Sequence, residues 1–262
     1  MPSPKLQPGL CWALVVLVAL LVSAPAFAKC WPIAGTEPRL IPAALPAAGT
    51  VRLTFLGHSS FLIETPEGAS AITDYNGFVG FDLAPDVVTM NNAHETHYTD
   101  FVDPEIKHVL RGWDPEGGMA HHDLTLRDLH VWNLPTNVRD VLGTRYNGNS
   151  IFVFEVSGLC IGHLGHLQHV LSDEHLADLG IIDVLLVPVD GAYTMTQELM
   201  VQVIGQIGAP LVIPMHYFNE VTLARFLRLI EGRYGVIYSE VPSVTVSRLT
   251  LPHRKVLVLP GS

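Results

Sequence analysis

Thirteen histidines stand in this chain of 262 residues, and several follow directly on apolar runs. Val87-Val-Thr-Met90 leads into Asn91-Asn-Ala-His94-Glu-Thr-His97, so an extended segment delivers two imidazoles three positions apart. Leu159-Cys-Ile-Gly162 leads into His163-Leu-Gly-His166-Leu-Gln-His169, and Leu211-Val-Ile-Pro-Met215 into His216. Neutral imidazole is the commonest metal ligand near pH 7, and several strand ends that each deliver one to a single point are what a metal site needs. His94-Glu-Thr-His97 is not the His-Glu-x-x-His helix of zinc proteases, because its second histidine comes one position too soon. The chain has no serine nucleophile elbow and no Gly-rich phosphate loop to suggest another chemistry.

The elements that must position these histidines read as strands first and strand–helix alternation later. Val51–Phe55 and Ser60–Glu64 alternate with period two around Gly57-His58-Ser59, and Ala69–Asp74 follows a turn at Pro66-Glu-Gly68. This predicts an antiparallel meander. Short strands are expected at 87–90 and 108–111, with a loop over 117–122 that carries His121 and His122. A hairpin is expected from 151–155 and 159–162 around Ser157-Gly158. Residues 124–138 fit neither period cleanly. Ser172–Leu179 has an N-cap, an acidic first turn and a stop at Gly180, so it reads as helix. Helices are also expected over 196–207 and 221–233, the last with Leu223, Phe226, Leu227 and Ile230 on one face. Buried strands at 182–187 and 209–213, then strands at 244–248 and 255–259, complete one domain of sheet and outer helices.

Hydrophobic residues make up 48% and charged residues 15%, which is ample for a large core. The formal net charge of −10 argues against nucleic acid or an anionic membrane as the main partner and points to a small-molecule substrate. Leu10–Val22 is an apolar run, short for a membrane span, and Ala26-Phe-Ala28 has a small-x-small cleavage pattern. A signal peptide over residues 1–28 is expected, with an extended lead-in over 29–50 and the domain filling 29–262. The mature protein would then be periplasmic or secreted, with no stable membrane insertion. An uncleaved anchor is the alternative. Cleavage removes Cys11 and leaves Cys30 and Cys160. Cys160 reads as a buried free thiol, although an exported pair can oxidise.

Leu56-Gly-His-Ser-Ser-Phe-Leu-Ile-Glu-Thr65 resembles the first hairpin of the metallo-β-lactamase fold hydrolases. Within that superfamily it is most similar to the branch of lactonase-like and N-acyl-phosphatidylethanolamine phospholipase-like members. Gly148–Glu155, Gly162-His-Leu-Gly165, Asp183–Pro188 and Ile213-Pro-Met-His-Tyr217 resemble later landmarks in the same order, covering roughly 51–259. The resemblance implies an α/β fold, a four-layer αβ/βα sandwich with metal held at one edge between two sheets. The family's metal loop reads His-x-His-x-Asp-His, and here the first histidine is Asn92 and the aspartate is Thr96. The bridging aspartate falls at His166, and Leu134-Pro-Thr-Asn137 stands where a further histidine is expected.

With both carboxylates replaced, the resemblance implies a mononuclear or a reshaped, His-rich centre with His94, His97, His166 and His216 as ligands. Zinc is expected, as one or two ions, with iron or manganese as alternatives. His58, His169 and Asn92 are expected as hydrogen-bonding supports or additional ligands, and His163 as a strand histidine satisfied by backbone. Each has a structural alternative as a loop or turn residue. Glu95 is a candidate general base or a solvated loop carboxylate. Tyr193, following Asp190-Gly-Ala192, could steady an oxyanion or pack at the rim. The expected function is an exported metal-dependent hydrolase that uses a metal-bound hydroxide on an ester, lactone or phosphodiester. The alternative is a non-catalytic metal- or small-ligand-binding protein on the same scaffold.

Overall fold

The computed structural model describes residues 44–77, 84–140 and 143–261. The expected leader, Cys30 and most of the lead-in lie outside the described residues. Leu40–Ser262 form one compact unit.

Two sheets face each other. β1 (Thr50–Gly57), β2 (Ser60–Glu64) and β3 (Ser70–Ile72) form the antiparallel meander, and β4 (Val87–Met90) and β5 (His108–Arg111) add on in parallel. The second sheet begins with β6 (Asp123–Leu126), β7 (Leu129–Asp140), β8 (Gly143–Val156) and β9 (Leu159–His163), all antiparallel. β10 (Val184–Pro188), β11 (Leu211–Met215), β12 (Gly235–Tyr238) and β14 (Lys255–Val258) continue it in parallel, in the order β9-β10-β11-β14-β12. β13 (Ser243–Ser247) returns to the first sheet beside β1.

Alternation in β1 sends Val51, Leu53 and Phe55 inward, where they meet Phe61, Phe152, Phe154, Leu186 and Ile213 between the sheets. β10 and β11 are buried on both faces, as parallel strands under helices must be, and this explains their unbroken apolar composition. The helices α1 (Asp173–Leu179), α2 (Gln197–Ile207) and α3 (Glu220–Ile230) begin at the N-caps Ser172, Thr196 and Asn219. Their apolar faces bury Met200, Val203, Ile204, Leu223 and Phe226 in one cluster with Val153, Leu185, Val187 and Val212 of the second sheet. Among the described residues no helix covers the outer face of the first sheet. Leu62, Ile72, Val88 and Met90 are sealed there by Tyr75, Tyr98, Ile106 and Trp113.

Three local expectations change. The undecided stretch 124–138 is strand on either side of a turn at Arg127-Asp128, because β6, β7 and β8 form a long arm whose pairing overrides Pro135, Asn133 and Asn137. α3 ends at Ile230, three residues early. β12 is an edge strand with every residue exposed, so it carries no burial pattern to read. Cys160 is half-buried and is a free thiol among the described residues.

Candidate metal centre

The histidines converge where the carboxyl ends of β3, β4, β9, β10 and β11 meet the β1–β2 turn. Ligands in parallel sheets commonly bind beyond strand carboxyl ends, where loops diverge. The turns are tight enough to force left-handed backbone at His58 (φ 53°), Asp74 (φ 44°) and His216 (φ 54°). Such conformations cost about 1–3 kcal/mol each in a non-glycine residue and cluster where side chains must be aimed. The His216 amide donates to the His58 carbonyl at 2.6 Å, so the two turns brace each other across the sheets.

Nitrogens of His58, His97 and His216 all lie within 4.8 Å of one another. His166 joins them, with its Nδ1 3.2 Å from His97 Nε2. Carboxylates orient two of the rings. Asp74 Oδ2 accepts from His97 Nδ1 at 2.9 Å, and Asp190 Oδ1 from His216 Nδ1 at 3.0 Å. A carboxylate only accepts, so each of these Nδ1 atoms carries the hydrogen and each Nε2 keeps its lone pair turned to the cluster. The Tyr193 carbonyl accepts from His166 Nε2 at 2.9 Å, which leaves the His166 Nδ1 lone pair facing inward. His58 Nε2 is buried with no hydrogen-bond partner.

The electrostatics favour neutral rings at His58 and His166 and ionised carboxylates at Asp74 and Asp190. Burial, with His216 and His97 adding repulsion, lowers the pKa of His58 to about 4. Burial, with His97 and His216, does the same to His166. Burial alone would raise both aspartates. For Asp74, attraction to His97 and its hydrogen bond outweigh that and hold the carboxyl far below the usual range. For Asp190, hydrogen bonds from His216, the Thr194 hydroxyl and the Ala192 amide do so. The Tyr193 and Thr194 amides also donate to it, at 2.5 and 3.1 Å.

His97, His166 and His216 thus stand together, and His58 faces the same point. His94 is exposed. Its ring stacks on His166 at 5.8 Å, and its Nδ1 contacts Thr96 Oγ1. His169 lies elsewhere: its nitrogens meet the Asn137 amide and the Val170 carbonyl, and its ring packs on His175. Both His163 nitrogens are used, by the Ser59 carbonyl and the Gly165 amide. Asn92 is buried, pairs across a bridge with Asn149, and accepts from Arg145. Glu95 is exposed. The Tyr193 side chain is exposed at the rim and packs edge-on against Phe218, whose ring lies 5.5 Å from His216. Asp74, Asp190, Arg145 and Phe218 were not singled out by sequence reasoning. A lone acid ending an apolar run, as in Ile72-Thr-Asp74 and Val187-Pro-Val-Asp190, is the available signal for the first two, since buried carboxylates are nearly always paired.

The donor set fits a metal. Nitrogens bonded to one zinc at about 2.0–2.1 Å stand about 3.3 Å apart in a tetrahedron, close to the His97–His166 spacing. Residues 52–216 match the family model described as the Beta-lactamase superfamily domain. A UPF0173 metal-dependent hydrolase of Methanosphaerula palustris is 27% identical over 186 residues, 64% of this chain and 84% of the relative. One from Methanoculleus marisnigri is 28% identical over 185 residues, 64% of this chain and 81% of the relative. A crystal structure from Thermotoga maritima, a candidate Zn-dependent hydrolase of the metallo-β-lactamase superfamily, superposes with a TM-score of 0.59 at 28% identity. The superposition covers 81% of this chain and 100% of that one. With the two-sheet sandwich and a histidine cluster at its edge, these matches make the chain a member of the β-lactamase superfamily.

Proposed function

We propose that this chain is a hydrolase with a single His-rich metal centre held by His58, His97, His166 and His216, acting on an ester, lactone or phosphodiester. The observation that carries the reading is the approach of His97 Nε2 to His166 Nδ1 at 3.2 Å. Hydrogen bonds to acceptor-only groups leave both atoms with inward lone pairs when the rings are neutral, and two lone pairs at that distance repel unless a cation stands against them. A proton could bridge that one pair. It would leave His58 Nε2 and His216 Nε2 unserved, whereas a divalent ion takes all four. The names of the relatives as metal-dependent hydrolases support the same reading.

His58 thereby takes the ligand place expected for His94. The exposed His94 stacks over the cluster as part of its mouth. A divalent ion such as zinc, held by these four rings, would supply Lewis acidity and lower the pKa of a water near it. The protein's own groups do the rest. Asp74 and Asp190 hold two rings in the metal-binding tautomer, and the Tyr193 carbonyl orients the third. Phe218 and Tyr193 form an apolar wall beside the site.

The test is metal analysis of the protein as isolated, together with turnover of p-nitrophenyl esters, a simple lactone and bis(p-nitrophenyl) phosphate. Stoichiometric metal and turnover, both lost in His97→Ala and His216→Ala, are expected. Metal without turnover would favour a binding protein on this scaffold, a reading that the loss of carboxylates at Thr96 and His166 supports. No metal in any preparation would sink both. We also propose export with cleavage after Ala28, which N-terminal sequencing of the mature protein checks.

A further inference from the structure

The neighbourhood of Asn92 carries a cation that the centre described so far does not use. Arg145, near the tip of the β7–β8 arm, donates from Nη2 to Asn92 Oδ1 at 2.6 Å and to the Gly148 carbonyl at 3.4 Å. Asn92 connects it to the histidines on both sides. Its carbonyl accepts from the His94 amide at 2.8 Å, and it bridges to Asn149, whose Oδ1 accepts from the His166 amide at 2.8 Å. The guanidinium is therefore linked through Asn92 to the His94 backbone, and through Asn92 and Asn149 to the His166 backbone.

Three features separate Arg145 from an ordinary surface arginine. First, no carboxylate pairs with it among the described residues, which it shares with Arg139, Arg228, Arg233 and Arg254 but not with Arg52, Arg111, Arg127, Arg225 and Arg248, and unlike Arg139 it is bonded to the histidine loop through Asn92. Second, both of its hydrogen bonds leave from Nη2, so the Nη1 hydrogens remain to donate to an oxyanion such as carboxylate or phosphate. Third, the chain makes room for it. A Cβ at Gly148 would sit 2.5 Å from Arg145 Nε and 2.6 Å from Val138 Cγ2, so any side chain there would displace the guanidinium.

We propose that Arg145 is the anion receptor of this site, binding an oxyanion that the substrate carries beside the bond to be cleaved. The substrate is then an anionic ester, lactone or phosphodiester rather than a neutral one. This rests on the hydrolase reading above for the reaction, but not for the binding of the anion itself.

The experiment is isothermal titration of the purified protein with inorganic phosphate and, separately, acetate, in chelator-stripped and zinc-loaded forms. Wild type should bind one of them in both forms, and the tighter probe tells a phosphate-bearing from a carboxylate-bearing substrate. Arg145→Gln should weaken that binding about tenfold or more, and Arg145→Lys should fall between, because lysine keeps the charge and loses the planar guanidinium that Asn92 holds in place. Gly148→Ala should weaken it with the arginine intact. Arg139→Gln, an exposed arginine on the same arm with the same change in net charge, should leave it unchanged. Zinc content of Arg145→Gln should equal wild type, so failure of the metal centre and failure of the anion receptor are read separately. Binding unchanged in Arg145→Gln, equal losses in Arg139→Gln, or no binding of either anion to wild type would each overturn the proposal.

Discussion

Asp74 Oδ2 accepts a hydrogen bond from His97 Nδ1 at 2.9 Å, with both side chains buried. The same carboxylate takes the Asn91 amide on its other oxygen at 2.9 Å, so the acid locks the start of the histidine loop as well as the ring. Replacing it by asparagine keeps the shape and removes the charge. Asp74→Asn should lower zinc affinity about 10–100-fold, the usual cost of losing a carboxylate behind a ligating imidazole. Competition against a chromophoric chelator measures it, and an unchanged affinity would show that His97 does not bind through Nε2. Asp190→Asn should act likewise through His216.

The identity of the ligands separates two readings of one sequence. His58 Nε2 is buried without a partner, while His94 is exposed and bonded to Thr96. His58→Ala should therefore cost at least about 100-fold in metal affinity, and His94→Ala less than about tenfold, on the scale by which losing a ligand exceeds losing a support. The reverse order, measured by the same competition, would restore His94 to the ligand set.

The pH dependence of the metal-free fold has a definite sign. His58 and His166 titrate near 4 when folded and near 6.5 when unfolded. Below about 6.5 the unfolded chain takes up protons that the folded one refuses, so stability falls as pH drops from 6.5 towards 4. The depressed Asp74 and Asp190 act the same way below their ordinary range, since their unfolded carboxyls protonate first. His130 is raised and works in the opposite sense, but it is partly exposed on the β6–β7 pair and weak. Melting temperatures in chelator should decline steadily from pH 7 to 4.5. A flat profile would mean that the two imidazoles are not held neutral by the fold.

Much of this site is legible in the sequence because parallel strands buried on both faces are unbroken apolar runs, and their ends are where polarity returns. His97, His166 and His216 sit at such ends, so position alone nominates them. The aspartates escape the same reading because their partners lie 23 and 26 residues away, and nothing local marks an acid as paired. The choice between His58 and His94 turns on which ring faces inward. That is set by left-handed backbone at His58 and by contact between the two sheets, neither of which has a period to detect. Residues 124–138 stay undecided for a related reason: their strand character comes from pairing along a long arm and not from their own composition.

Gly165 shows how little slack surrounds His166. Its φ is +57°, and a Cβ there would meet Asn91 Cβ at 2.4 Å and Asn149 Oδ1 at 2.7 Å. Asn149 Oδ1 is the acceptor that holds the His166 amide. Gly165→Ala should destabilise the protein by about 3 kcal/mol, from left-handed strain and overpacking together, in a denaturant titration. It should also lower metal content in whatever fraction folds. A loss below about 1 kcal/mol would mean that the loop relaxes freely and does not aim His166.

Phe218 gives the last expectation, because its position separates substrate binding from chemistry. The ring is 57% exposed, yet its centroid lies 5.5 Å from His216 and 5.6 Å from Tyr193, so it offers open apolar surface directly beside the reacting point. It holds no ligand in place, since Asp190 orients His216. Phe218→Ala should therefore raise KM for aryl esters about tenfold, the worth of one well-buried apolar contact, while kcat and zinc content stay near wild type. A fall in kcat at constant KM would instead assign the ring to the geometry of the His216 turn, because an interaction made equally in ground and transition states moves KM alone.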